Sequence, residues 1–555
     1  MSRPPSDAPG GRLIAPWRSG YRRGWLTGDL VAGLVAACVV VPQAVAYAGV
    51  AGLPVQVGLY AALVPMFVYA MLGTSRVLSV SVTSTLSILT ASAIAISGGG
   101  PEAAALLALM SGALLVVAGL LRVGFLADLV SLPILAGFKA GTGLVLISGQ
   151  LGKVLGVPID GDGFFANIAD AVRGLDDVDG VTLALAAATI AVIVAMRRWA
   201  RRVPGPLVAV VGGILAVGAL GLADDGLAVV GAVPSGLPGF AVPPLEDWRL
   251  LVPGAAGVAL MATVESVAAG RALAARADPP VDTDRELVAL GCANVGAGLF
   301  HAYPAGGGLS QSAVNRDAGA RTQVSALATV AVVALVLTVM TGLLENLAEA
   351  TLGALVIVAA FGLVQPAELR RIVHVRVRDG VLALVALAAV LVLGVLAGVL
   401  VAIVVSMATL LAQAYRSPVD VISLDEQGRF RRRALGGHDA TPPGLLMLRP
   451  RGILYFANVR RVGDQVIAAV DRAMPVEVVV VDLSAVPDLE VTALTVMADI
   501  GRELRERGIE TWITGLDGGQ REMAARFGID DRILVFPTLD AAVSAHRSAR
   551  SPGSG

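Results

Sequence analysis

Few residues in this chain have the types and spacing that chemistry needs. Glu265 stands alone as a carboxylate in the middle of an apolar run, at about 253–272. A carboxylate at membrane depth is costly and suggests function by default, such as carrying a proton; a structural hydrogen bond to a neighbouring helix is the other reading. Lys139 is a second ionisable group inside an apolar run, for which snorkelling or a structural pair is the ordinary role. His301, His374, His438 and His546 are scattered without metal-ligand spacing. Cys38 and Cys292 both sit in apolar stretches, which argues against a disulfide framework or a metal site. No nucleophile–base pair and no Gly-rich phosphate loop is present, so an enzyme reading has no support and no cofactor is expected.

The elements around these residues are those of a membrane protein. Of 555 residues, 56% are hydrophobic and only 15% charged. A soluble domain is about 45–50% apolar and about 25% charged. The net charge of -1, with no basic face interleaved with aromatics, gives no sign of nucleic-acid binding. Apolar runs recur near 29–49, 57–72, 80–97, 102–121, 129–150, 180–196, 204–222, 253–272, 285–300, 310–321, 322–343, 345–363, 379–394 and 395–414. These predict fourteen spans, some short or Gly-rich. Irregular backbone at membrane depth must be enclosed by protein, so the short ones are candidates for broken helices.

Charge tests that count. With a cytosolic tail at 1–24 bearing Arg12, Arg18, Arg22 and Arg23, even-numbered spans must end inside. They end at Arg122, at Arg197, Arg198, Arg201 and Arg202, at Arg271 and Arg276, near Arg316 and Arg321, and at Arg370, Arg371, Arg376 and Arg378. Outside loops hold Asp224, Asp225, Glu345 and Glu349 instead. The parity follows the positive-inside rule. The spans divide seven and seven around a polar loop at 223–250, and an odd number per half makes any repeat inverted. The transport domain is thus expected over 25–415. A polar linker, 416–443, carries "RFRRR". An α/β domain over 444–548 follows, with strands and helices alternating, and a disordered tail at 549–555. In that domain 445–458 reads as two strands.

The stretch "PQAVAYAGVAGLPVQVGLY" (42–60) resembles the signature of the sulfate-permease (SulP) anion transporters, a family that includes prestin. "GTSRVLSVSVTSTLSILTAS" (73–92), "GFKAGTGLVLISGQLGKVLGV" (137–157), "ATVESVAAGRALA" (262–274) and "GGGLSQSAVNRDAGARTQ" (306–323) resemble it in the same order. The C-terminal domain resembles the STAS domain of that family. The resemblance implies a polytopic α-helical fold of two inverted seven-span repeats forming a core and a gate, and a homodimer. It also implies that the third and tenth spans are a short strand and a half-helix each, with both half-helix N-termini facing an anion.

On that resemblance, Gln43 and Tyr47, Ser81 and Thr83, and Ser310, Gln311 and Ser312 become the candidate substrate-binding residues, with Ser310 and Ser312 as helix caps. Glu265 becomes the proton-coupling candidate. Sodium-coupled bicarbonate members show Asp-Ser-x-x-Thr where this chain has Glu265, Ser266 and Ala269, which favours a proton over sodium. Gln311 stands where many members carry Arg. Thr492 is the nearest equivalent of a phosphorylatable Ser in related regulators, with packing against a strand as its plainer reading. The expectation is a plasma-membrane, proton-coupled transporter of sulfate, bicarbonate or a C4-dicarboxylate, with both termini cytoplasmic. An uncoupled exchanger or channel, or a membrane-tethered STAS signalling protein, are the rivals.

Overall fold

The computed structural model describes residues 15–18, 21–125, 131–159, 161, 163–200, 204–224, 226–274, 281–432, 440–528 and 533–550. Residues 1–14 of the tail, Arg201, Arg202, Asp225, Arg276, Arg433, His438 and 551–555 lie outside these. Two compact units, Met1–Ser406 and Met407–Gly555, make up the chain.

The first unit is helical. Its helices are α1 (Leu26–Val50), α2 (Val55–Leu72), α3 (Ser84–Ile94), α4 (Pro101–Leu120), α5 (Leu132–Gly149), α6 (Leu151–Leu155), α7 (Phe164–Arg173), α8 (Gly180–Trp199), α9 (Gly205–Leu220), α10 (Trp248–Leu273), α11 (Thr283–Leu299), α12 (Leu309–Asp317), α13 (Val324–Leu335), α14 (Glu349–Phe361), α15 (Pro366–Val375), α16 (Val377–Leu393) and α17 (Val395–Tyr415). Among the described residues nine helices are long and apolar enough to cross a membrane by length and composition. Each of the fourteen apolar runs of the sequence coincides, in order, with one of the helices α1–α17, whether or not that helix is long enough to cross. Three helices, α6, α7 and α15, went unread as separate elements. The amphipathic α7 and α15 are too polar to register as spans, yet each exposes valines beside its charges.

Helix α13 continues through a π turn at Val336–Met340 and a 3-10 turn at Thr341–Leu344. The helices pack as two bodies. α1–α4 and α10–α13 contact one another, and α5–α9 pack with α14 and α16. In the first body α4 and α11 cross backbone to backbone. A Cβ on Gly112 would stand 2.5 Å from Val295 N, and one on Gly291 2.6 Å from Val116 N. Small residues let helices approach where lipid supplies no hydrophobic drive between them.

Between these spans two helices break. β1 (Val80–Ser81) precedes α3 and β2 (Gly306–Gly307) precedes α12, and the two strands pair antiparallel, Val80 opposite Gly307 and Ser81 opposite Gly306. Antiparallel pairing sends α3 and α12 away in opposite directions, as an inverted repeat requires. Glycine is needed here for space. A Cβ on Gly306 would meet Leu86 at 2.8 Å, and one on Gly307 would meet Leu78 at 2.9 Å.

The second unit holds a six-stranded sheet in the order β4-β3-β5-β6-β7-β8. Its strands are β3 (Val419–Leu424), β4 (Phe430–Arg432), β5 (Leu445–Pro450), β6 (Val478–Asp482), β7 (Glu510–Thr514) and β8 (Leu534–Phe536). Helices α18 (Val459–Ala473), α19 (Val491–Glu506), α20 (Gly518–Phe527) and α21 (Leu539–Arg550) flank it. β5 to β8 are parallel and β3 is antiparallel to both neighbours. Val479 and Val481 face the cluster of α18 and α19, while Val478 and Val480 pack with Trp512 and α21. A parallel strand covered on both faces reads as an unbroken apolar run. Two expectations change here. The segment 416–443, expected as a linker, supplies β3 and β4. Its alternation "VDVISL" buries Ile422 and Leu424, while Asp420 is held by Arg432 and Arg451 at 3.0 and 2.7 Å. Residues 445–458 form one strand rather than two, because Gly452 takes a positive φ of 91° and Leu454 makes only an isolated bridge to Leu489.

The α4–α11 crossing yields a stability test. Gly291→Leu should cost about 1–3 kcal/mol or more, since overpacking a tight contact forces backbone shifts. Gly212→Ala, where an added Cβ meets nothing within 4 Å, should be neutral. Thermal unfolding in detergent distinguishes them; equal melting temperatures would show that the crossing tolerates bulk.

Candidate functional site

The strand pair leaves polar backbone at membrane depth, and side chains from four helices complete it. Asn294 of α11 clasps Ala305, accepting from its N–H at 2.8 Å and donating to its carbonyl at 3.0 Å. Ser266 of α10 accepts from Gly307 N at 2.7 Å. Ser312 of α12 accepts from Ser79 N at 2.8 Å and donates to Gly308 O at 2.7 Å. Gln323 donates to the carbonyls of Ser75 and Leu78 at 2.8 and 2.9 Å. An unsatisfied backbone group in such a place costs several kcal/mol, which explains the density of these links.

Gln311 is the hub. It is 2% exposed. Its Oε1 accepts from Ser81 Oγ at 2.5 Å, and its Nε2 donates to Gln43 Oε1 at 2.7 Å and to Val82 O at 3.0 Å. The bond to Gln43 has a consequence. It fixes Gln43 Oε1 as the acceptor end of that amide, which leaves the Gln43 NH2 as a donor with no acceptor among the described residues. Gln311, a neutral amide where the resembling family often has Arg, thus aims the amide of Gln43.

On the α3 side, Thr83 is the helix cap. Its Oγ1 accepts from Leu86 N at 3.3 Å and donates to Glu265 Oε2 at 3.1 Å. Thr85 also lies close to Glu265, and Tyr47 close to Ser84. Tyr303 and Ser87 share a hydrogen bond at 3.0 Å. Glu265 therefore lies beside the N-terminus of α3, partly buried. The first N–H groups of α3 and of α12 have no helical partners, and each helix end carries a positive partial charge.

The candidates of the sequence thus separate. Gln43, Tyr47, Thr83, Gln311 and Glu265 converge on one junction. Ser81 joins them, but its hydroxyl is committed to Gln311. Ser310 and Ser312 are not caps: Gly308 holds the cap position without a side-chain bond, Ser310 is exposed within the first turn, and Ser312 bonds backward into the strand pair. β2 ends at Gly307 and α12 starts at Leu309, two residues earlier than a cap at Ser310 would place it. Thr492 lies in the second unit, exposed in the first turn of α19 rather than packed against a strand. Tyr303, Thr85 and Asn294 were not singled out from sequence. Asn294, a lone amide inside an apolar run, was the readable signal among them. Among the described residues no cluster of His, Cys, Asp and Glu suited to a metal occurs.

The sulfate permease family profile matches residues 26–386, and the STAS domain profile residues 439–542. A protein of Mycobacterium tuberculosis named as a probable sulfate transporter is 37% identical over 545 residues, 95% of this chain and 96% of its own. The chloroplastic sulfate transporter 4.1 of Arabidopsis thaliana is 30% identical over 530 residues, 90% of this chain and 77% of its own. Among solved structures, murine solute carrier 26 family member A9 in its inward-facing state superposes with a TM-score of 0.88 at 22% identity, covering 97% of this chain and 94% of that one. The transmembrane domain of the cyanobacterial bicarbonate transporter BicA gives 0.62 at 21% identity, covering 71% of this chain and all of that one.

Two measurements check the geometry. Gln43→Ala and Gln311→Ala should be non-additive in anion affinity, with a coupling energy of about 0.5–3 kcal/mol, because the second residue acts through the first. Additive losses would separate them. Ser310→Glu should leave melting unchanged, since a carboxylate suits a helix N-terminus, yet should abolish anion binding by occupying the same field. Normal anion binding by Ser310→Glu would remove the start of α12 from the site.

Proposed function

This chain belongs to the sulfate permease family, a family of membrane transporters rather than enzymes, and we propose that it takes up a sulfate-class anion by proton-coupled alternating access. The observation that carries the reading is the convergence of two half-helix N-termini, the free amide of Gln43 and the carboxylate of Glu265 at one strand junction. Unpaired helix N–H groups bind an anion without a fixed cation. The names carried by the relatives in Mycobacterium tuberculosis and Arabidopsis thaliana support sulfate among the candidate anions.

Glu265 serves as the proton carrier. It sits at the same helix end as the anion, so a charged carboxylate and the anion repel each other there. Proton and anion then enter together, and the movement of α1–α4 and α10–α13 against the remaining helices carries both. The buried Ala269 supplies no hydroxyl, which supports a proton rather than sodium. The arginines at the ends of the even-numbered spans support cytoplasmic termini in a plasma membrane. A homodimer and a regulatory role for the STAS domain, with Thr492 as its candidate residue, complete the reading.

Uptake of labelled sulfate into proteoliposomes, with the pH gradient imposed or collapsed, tests it. The wild type should concentrate the anion only under the gradient, and sodium should not replace protons. Glu265→Gln should keep exchange and lose concentrative uptake. Accumulation by Glu265→Gln under the gradient would assign this side chain a structural role instead.

A further inference from the structure

None of the side chains gathered in the junction cluster is a cation. Gln43, Ser81, Thr83, Thr85 and Gln311 are neutral, and Glu265 is an acid. An anion placed there meets a carboxylate with only the helix N-termini, and no cationic side chain of the cluster, to offset it.

Helix α5 comes from the other body. Gly137 and Gly141, one turn apart, press against α16: a Cβ at Gly137 would lie 1.9 Å from Ala383 O, and one at Gly141 2.8 Å from Val390 Cβ. At about 100° per residue, Leu135, Lys139, Thr142 and Leu146 share the opposite face. That face is buried at Leu135, Thr142 and Leu146. Leu135 and Leu146 are buried in the same apolar cluster as Leu86 and Leu89 of α3 and Met261 of α10, and α5 contacts α3 directly. Lys139 is partly buried and forms no salt bridge among the described residues. Glu265 is an acid within electrostatic reach of it.

A second group on this face is also unengaged. The Thr142 hydroxyl is fully buried and has no hydrogen-bond partner. Other buried threonines of the helices, Thr90, Thr263 and Thr329, donate to the carbonyl four residues back at 2.7, 2.8 and 3.1 Å. Thr142 does not, though the same bond is open to it. A buried polar group is normally satisfied, so this hydroxyl is left free to accept from or donate to a further partner.

We propose that Lys139 and Thr142 form the gate-side half of the anion site, with Lys139 supplying the fixed positive charge that Gln311 does not. This rests on the transport reading above. With Glu265 charged, Lys139 is balanced by it. When Glu265 takes its proton, the charge of Lys139 is released to the incoming anion. The anion thereby bridges the two bodies, and its charge becomes a criterion for selection: a divalent anion gains more from Lys139 than a monovalent one.

The test measures sulfate uptake by wild type, Lys139→Gln, Lys139→Arg, Thr142→Val and the double variant Lys139→Gln/Glu265→Gln in proteoliposomes. Lys139→Gln should raise KM for sulfate at least about tenfold, and less for monovalent nitrate or bicarbonate. Lys139→Arg should restore most of the loss, and Thr142→Val should show a smaller rise. The double variant decides the role. If Lys139 serves the anion, its removal raises KM in the Glu265→Gln background as well. If it only balances Glu265, the double variant matches Glu265→Gln, and the proposal is overturned. Lys139→Met repeats the test should Lys139→Gln fail to fold. Normal KM in Lys139→Gln with an active wild type overturns this inference alone; a wild type that moves no anion overturns the transport reading with it.

Discussion

Inside a bilayer every backbone polar group needs a partner from the protein, and two broken helices leave many without one. The paired strands Val80–Ser81 and Gly306–Gly307 meet this requirement with only two residues each. The remaining groups fall to side chains: Asn294, Ser266, Ser312, Gln323 and Gln311 each close a backbone group near the break. The need explains why polar residues appear in these spans at all. It also explains the glycines, since Leu86, Leu78 and Ser266 already fill the space their side chains would take.

Once the backbone is closed, the arrangement leaves a small remainder of free donors. Apart from Leu86 N, which Thr83 caps, the first N–H groups of α3 and α12 stay open because the helices begin there. Gln43 keeps its NH2 because Gln311 has taken its oxygen. The site is thus the residue of a satisfied network rather than a separate construction. Two other buried carboxylates show the contrast. Asp29 is saturated by Arg321 N, Thr322 N and Thr322 Oγ1. Glu286 is held by Tyr69 at 2.5 Å and by Thr74. Both tie helix ends together. Glu265 has hydroxyl partners at a helix N-terminus, a place where an anion would compete.

Much of this was legible in sequence. Long apolar runs and the arginines at alternate ends gave the order of spans, because hydropathy and charge act over whole segments. The Gly-rich start of "GGGLSQSAVNRDAGARTQ" marked a candidate broken helix, because glycine at this density does not hold a regular one. What failed depended on register of one or two residues. Whether Ser310 caps α12 or lies within its first turn is set by where β2 stops pairing with β1, across more than two hundred residues of chain. The roles of Ser81 and Gln311 were hidden for the same reason: each is defined by a partner on another element. β3 and β4 were hidden by charge. Asp420 and the arginines of 429–432 look like a solvated linker until Arg432 and Arg451 are seen to close on Asp420.

The two halves of the junction are related in shape but not in chemistry. The α3 end is rich in hydroxyls, with Thr83, Ser84, Thr85 and Ser87, and has Glu265 beside it. The α12 end is held by the amide of Gln311 and has no acid bonded to it. A helix N-terminus favours one negative charge within its first turn. At α3 that charge is either Glu265 or the anion, and neither can hold the field fully while the other is there. Neutralising Glu265 removes the competitor. In the proposed function proton and anion binding therefore favour each other, and linkage would make the effect reciprocal: whatever factor the proton adds to anion affinity, the anion adds to proton affinity. In the proposed cycle this asymmetry of an otherwise inverted pair gives coupling its direction, because the proton acts at one half-helix while the other only binds.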